Sequence, residues 1–333
     1  MARTAAAFLI LALVPTGCGD FEPDGGQVSS GPMSYPYTIV TTVGMVNDVV
    51  ARVAGNKATV TNIIGEGVDP HLYKPTTSDV KKLLAANVVF YSGLVLEGKM
   101  ADTLVKAATS VRHVFAVTEL LDEQYLLEPP EFAGHYDPHV WMDVQAWSKA
   151  VEAVSTALAG YDPANADTYR ANAETYRRQL ARLDTYARDT IASIPERSRV
   201  LITAHDAFNY FGRAYGIEVQ GIQGISTESE AGLKRINELV DTIMDRDIRA
   251  VFIETSVPPK NVEALIEGAR SRGRAVRIGG ELFSDAMGTP GTYEGTYIGM
   301  IDHNATTVAR ALGGDAPPRG MLGKLIEPAH HGQ

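Results

Sequence analysis

The 333-residue chain lacks the features that mark several large protein classes. Its one cysteine, Cys18, allows no internal disulfide, no cysteine-based zinc knuckle and no iron–sulfur cluster. Basic charge is scarce: 40 acids face 30 bases, the net charge is −10, and no Lys/Arg cluster interrupts the acidity, so no nucleic-acid partner is expected. The ten-residue apolar run at 5–14 falls short of a bilayer span, which takes about 20 residues. What remains is a globular composition, 45% apolar. At roughly 150 residues per domain the length suggests two domains, each able to bury a core.

The start of the chain speaks to compartment. Arg3 precedes the apolar run, small residues Thr16 and Gly17 precede Cys18, and polar, Gly-rich sequence follows. This resembles a bacterial lipoprotein signal, cleaved before a cysteine that is then lipidated, although Pro15 stands where Leu is usual. Residues 1–17 therefore read as signal peptide, Cys18 as the lipidation site, and 18–36 as a flexible tether. A mature chain without a free thiol suits a compartment outside the cytoplasm.

From residue 37 short β-branched runs alternate with amphipathic segments. The pattern predicts strands over 37–43, 58–64, 88–91 and 112–117, then over 200–203, 218–220, 250–253 and 275–278. Helices are predicted over 45–53, 78–86, 98–108 and 144–158, and over 207–215, 229–244, 259–271 and 294–312. Such alternation argues for an α/β fold of two similar lobes with parallel sheets. Between them, apolar or aromatic residues at Tyr169, Ala173, Tyr176, Leu180, Leu183, Ala187, Ile191 and Ile194 fall on one face of a helix. Asp162-Pro163 reads as its capped start and Pro195 as its end. It is either a coiled-coil dimerisation helix or, as its place at the midpoint suggests, a single spine joining the lobes. The expected division is lobe 37–160, spine 161–196, lobe 197–313 and polar tail 314–333.

Two of the eight histidines share a context: Asp69-Pro70-His71 and Asp137-Pro138-His139. Proline fixes its own φ and pushes the residue before it towards extended backbone, so each His follows a stiff corner. A stiff corner aims an imidazole, but it also serves simply as a turn. His205 follows a predicted strand, where α/β folds place ligands; it reads equally as a helix cap. Asp285 follows the last predicted strand, in a loop where Asx turns are common. Together, three imidazoles and a carboxylate suit Zn²⁺, or Mn²⁺ where geometry is enforced. They do not suit Ca²⁺ or Mg²⁺, which take mostly oxygen.

The sequence resembles the metal-receptor lipoproteins of bacterial zinc/manganese ABC importers, the TroA-like family, over about 37–312. The resemblance is carried by Gly67-Val68-Asp69-Pro70-His71, Asp137-Pro138-His139-Val140-Trp141-Met142-Asp143 and Thr203-Ala204-His205-Asp206-Ala207-Phe208. Gly221-Ile222-Gln223-Gly224-Ile225-Ser226-Thr227 and Gly280-Glu281-Leu282-Phe283-Ser284-Asp285-Ala286-Met287-Gly288 add to it. It implies two α/β lobes joined by a backbone helix, with one Zn or Mn ion per chain as transported ligand in the cleft. The implied ligands are His71, His139, His205 and Asp285. Manganese-selective relatives often carry Glu at the third position, where this chain has His205. Many zinc-specific relatives carry a His-rich loop before the second ligand, whereas 120–134 holds no His and only His135 precedes His139. The resemblance further implies ABC permease subunits as partners, a monomer, and a lipid-anchored position in the periplasm or on the outer face of the cytoplasmic membrane.

No enzyme is expected. Four protein ligands leave no open position for an activated water, and no His-Glu-x-x-His or Gly-x-Ser-x-Gly segment occurs. The alternatives are a zinc hydrolase with Glu254 or Glu281 as base, an adhesin with a structural metal, and a receptor for a bulky organic ligand. Among the other histidines, His135 reads as a loop residue, His113 and His303 as structural, and His330-His331 as part of the polar tail. Trp141 and Trp147 read as core, and Asp69 and Asp137 as turn formers or imidazole acceptors.

Overall fold

The computed structural model describes residues 33–111, 113–118, 121–229 and 231–326. The expected signal peptide, Cys18, most of the tether and His330-His331 lie outside them. Strands and helices alternate as β1 (Tyr37–Thr41), α1 (Gly44–Ala54), β2 (Ala58–Asn62), α2 (Thr77–Ala85), β3 (Val88–Tyr91), α3 (Ala101–Ser110), β4 (Val114–Ala116) and α4 (Val144–Tyr161). After α5 (Ala166–Ala192) the rhythm resumes with β5 (Val200–Thr203), α6 (Asn209–Tyr215), β6 (Glu218–Gly221), α7 (Leu233–Arg246), β7 (Ala250–Glu254), α8 (Lys260–Ser271), β8 (Arg277–Leu282) and α9 (Tyr297–Ala311). Each helix returns the chain to the same sheet end, so the paired strands run parallel.

The two halves are alike but not identical. The first holds one four-stranded sheet in the order β2-β1-β3-β4. The second holds two separate parallel pairs, β5-β6 and β7-β8, with β5 packed beside β7. Val200, Ile202, Val251, Leu239, Ile243, Val262 and Leu265 are buried together in that half.

Helix α5 crosses between the halves. It packs against α1 and α4 on one side and α6 and α9 on the other. Its 27 residues give a rod of about 40 Å. All eight apolar positions on the expected face are buried, which consumes within one chain the stripe that a coiled coil would need.

Several boundaries differ from expectation. Asp162 does not cap α5; a 3₁₀ turn at Pro163–Asn165 intervenes. Its buried carboxylate accepts instead from the hydroxyls of Tyr35 (2.8 Å) and Tyr169 (2.6 Å) and from the amide of Asn165 (2.8 Å). Helix α9 starts at Tyr297 rather than 294, because Thr296 accepts the Gly299 N–H and sets the start there. Strand β8 lies further along than the predicted 275–278 and runs through Gly279-Gly280. Neither glycine has room for a side chain. A Cβ on Gly279 would sit 2.8 Å from the Phe252 ring, and one on Gly280 would sit 2.4 Å from the Thr307 methyl on α9. Asp285 is thereby placed three residues past the strand end.

Candidate metal centre

Four loops meet at the cleft. The loop after β2 carries His71, and the segment before α4 carries His139. The turn after β5 carries His205, and the loop after β8 carries Asp285. Each residue offers one ligand atom, and the four atoms lie within 4.8 Å of one another. All four residues are buried, with exposures of 4% or less.

The separations have the size of a coordination shell. His71 Nε2 lies 3.3 Å from His139 Nε2. Asp285 approaches His139 Nε2 at 3.3 Å, His205 Nε2 at 3.2 Å and His71 Nε2 at 3.8 Å. A tetrahedral zinc site with Zn–N bonds of 2.0–2.1 Å has edges of about 3.4 Å. His205 Nε2 and both Asp285 oxygens are buried without a hydrogen bond. Buried polar atoms are nearly always satisfied, so these orphans, all facing one point, mark a place suited to a cation.

Carboxylates behind the rings orient two of them. Asp137 Oδ1 accepts both the N–H of His139 (2.9 Å) and its Nδ1 proton (2.7 Å). Glu254, at the end of β7, does the same for His205, accepting its N–H at 2.9 Å and its Nδ1 proton at 2.5 Å. A proton held on Nδ1 leaves Nε2 as the lone-pair donor towards the cleft. Asp69 takes only the N–H of His71 (2.8 Å); its other oxygen accepts from Thr227 (2.5 Å).

The charges follow from this. Burial pushes His71 down to about 3, with Asp285 offsetting only part of the effect. Burial also opposes charge on His139, but Asp137 and Asp285 outweigh it and lift the ring to about 9. His205 is likewise buried, yet Glu254 and Asp285 hold it well above the usual imidazole range. Burial would raise Asp285; His205 and His139 overcome it and keep the carboxyl well below its ordinary value.

The other described histidines lie apart from this cluster. His135 is exposed and its ring lies tilted against Phe132 (5.3 Å). His113 meets Tyr161 edge-on (4.8 Å), and His303 Nε2 reaches the Glu281 carbonyl (2.9 Å). Trp141 and Trp147 are fully buried. Trp141 also touches the site: its ring meets His139 edge-on (5.3 Å), and its Nε1 donates to the Ser284 carbonyl (2.9 Å). Glu254 as the partner of His205 was not expected from the sequence. The only signal available was its place at a strand end, the same feature that singled out His205.

Known proteins bear on this arrangement. The family described as zinc-uptake complex component A, periplasmic, matches residues 39–311. The chain is 44% identical to the manganese-binding lipoprotein MntA of Bacillus subtilis over 307 residues, covering 92% of this chain and 98% of that one. It is 47% identical to the zinc-binding protein TroA of Treponema pallidum over 276 residues, covering 82% and 88%. The solved structure of the T. pallidum periplasmic zinc binding protein TroA superposes with a TM-score of 0.80 at 46% identity, over 83% of this chain and 99% of that one. This chain is also 31% identical over 289 residues to FimA of Streptococcus parasanguinis, a metal ABC transporter substrate-binding lipoprotein, covering 85% of this chain and 92% of that one. With the match spanning both halves and the spine, the chain belongs to the periplasmic zinc-uptake component A family of metal-binding proteins.

Proposed function

We propose that the protein captures one divalent transition metal ion, Zn²⁺ or Mn²⁺, on His71, His139, His205 and Asp285, and delivers it to the permease of an ABC importer. The observation that carries this reading is the convergence of four buried donor atoms from four loops within 4.8 Å, with His205 Nε2 and both Asp285 oxygens left without a hydrogen bond. The relatives named for zinc, for manganese and for metal ABC transport support the choice of cargo and pathway. Two ligands come from each side of the spine, so the ion itself bridges the halves.

Transport fits the site better than hydrolysis does. Glu254, which a hydrolase would need as a free base, is held by the backbone and ring of His205. Glu281 is exposed. A lipid anchor at Cys18 and a monomeric receptor outside the cytoplasmic membrane complete the proposal. It is supported by relatives described as lipoproteins. The lobes at 37–160 and 197–313, the spine at 161–196 and the tail at 314–333 are proposed as its working parts.

The test is elemental analysis of protein purified without added metal, then competition between Zn²⁺ and Mn²⁺ monitored by calorimetry. One equivalent of either metal, removable by a chelator with the fold intact, is expected. Protein that binds neither metal, or that unfolds on its removal, overturns the reading.

A further inference from the structure

The two histidine corners of the N-terminal half are joined to the other half very differently. The His139 segment is gripped by α6. Tyr210 hydroxyl donates to the Asp137 carbonyl (3.0 Å) and accepts the Leu127 N–H (2.9 Å), and Asn209 donates to Asp137 Oδ2 (3.1 Å). Arg213 reaches the Tyr125 carbonyl (2.9 Å) and Asp143 (3.3 Å). Tyr297 hydroxyl on α9 donates to the Trp141 carbonyl (2.7 Å). His139 is therefore built into one body with His205 and Asp285.

The His71 segment has far less. Among the described residues, and apart from the ligand atoms, two hydrogen bonds join it to the C-terminal half. Thr289 donates to Glu66 at an exposed position (2.6 Å), and Thr227 donates to Asp69 (2.5 Å). The second is the better sheltered, because Thr227 is only 7% exposed. Asp69 spends its other oxygen on the His71 N–H. One carboxylate thus touches both a metal-site residue and the loop across the cleft. His71 also lacks what His139 and His205 have: among the described residues no carboxylate sits on its Nδ1.

We propose that Asp69 and Thr227 form a clasp that sets how long the cleft retains its metal, with Asp69 a positioning residue that couples the loop after β6 to the placement of His71. The inference rests on the metal-capture reading above. When the clasp is made, the backbone N–H of His71 is fixed and its Nε2 faces the other three donors. When Thr227 withdraws, Asp69 is free to turn and His71 is the ligand that leaves. Release then starts at the His71 corner while the other three donors stay together.

The test is the rate at which Zn²⁺ leaves the full-length protein into excess chromogenic chelator, in stopped flow. Thr227→Val removes the hydroxyl at nearly constant volume, and Thr227→Ser restores it. Loss of a hydrogen bond to a charged group predicts release about tenfold faster in Thr227→Val. The rate of zinc uptake should change little, and release should return to the parental value in Thr227→Ser. Thr227→Ala repeats the test should Thr227→Val not fold. Parental release from both hydroxyl-free variants, or equal acceleration in Thr227→Ser, overturns the clasp alone. A parent that binds no zinc overturns the metal-capture reading instead, so the two failures are distinguishable.

Discussion

Asp69-Pro70-His71 and Asp137-Pro138-His139 are the same three residues put to two uses. In the second, one aspartate oxygen holds both the backbone and the ring of its own histidine, and the ring is lifted to about 9. In the first, the aspartate holds only the backbone, reaches across the cleft to Thr227, and leaves a ring that burial drives down to about 3. His205 resembles His139, but its carboxylate, Glu254, comes from 49 positions away. The difference teaches that a stiff corner aims an imidazole, while its neighbours across the fold decide its proton and its freedom.

The largest effects should come from removing the rings. His71→Ala and His139→Ala are each expected to lower zinc affinity by orders of magnitude. The metal-free proteins should separate the two corners. Without His139, Asp137 and Asp285 each lose a charged partner in a buried place, a cost of about 2–3 kcal/mol. Without His71, a ring held neutral is lost and no carboxylate on its Nδ1 is orphaned. Calorimetric unfolding of chelated protein should therefore place His139→Ala below His71→Ala; the reverse order would break the comparison.

Next in size are the carboxylates behind the rings. Outer partners of ligating histidines are typically worth about 10- to 100-fold in metal affinity. Asp137→Asn and Glu254→Gln should both fall in that range by chelator competition. An affinity within a factor of about three of the parent in either variant would show that its carboxylate does not orient the ring.

Protonation gives a smaller and graded effect. In the metal-free protein, groups with raised pKa values carry protons at neutral pH, and these must leave before Nε2 can bind. His139 and His205 are such groups; His71, near 3, is not. Affinity should rise as pH climbs from 6 towards 9 and weaken in acid. Zinc titrations in buffers of different ionisation enthalpy should count released protons at pH 7. Asp137→Asn should reduce that count. A pH-independent affinity over this window would contradict the assignment.

The smallest expected change is in metal preference. Nitrogen donors favour Zn²⁺ over Mn²⁺ along the Irving–Williams order. His205→Glu exchanges a nitrogen for a harder oxygen, so the ratio of zinc to manganese affinity should fall even if both weaken. An unchanged or larger ratio, read by calorimetry with both metals, would remove His205 from the determinants of selectivity.

Much of this was legible beforehand. The apolar spacing from Tyr169 to Ile194 demanded a helix with one buried face, and all eight positions are buried. The four proposed ligands stood out because each follows a strand or a proline corner, and they converge. What was misread depended on neighbours distant in sequence. Asp162 looked like a helix cap, yet its carboxylate is taken up in part by Tyr35, 127 positions away. Gly279-Gly280 looked like a loop because nothing local reveals that Phe252 and Thr307 leave no room for a side chain there.

By itself the sequence determined what covalent geometry and periodicity control: the alternating α/β order, the spine, and the proline corners that present His71 and His139. The tertiary structure alone decided that Asp137 but not Asp69 stands behind the ring of its own histidine, and that Glu254 stands behind His205. A hydrogen-bond partner has to lie within about 3 Å, and between residues 205 and 254, or 69 and 227, that distance is set by how the strands and loops pack. It is the same packing that grips one Asp-Pro-His corner through α6 and α9 and joins the segment of the other across the cleft, among the described residues, through the hydroxyls of Thr227 and Thr289.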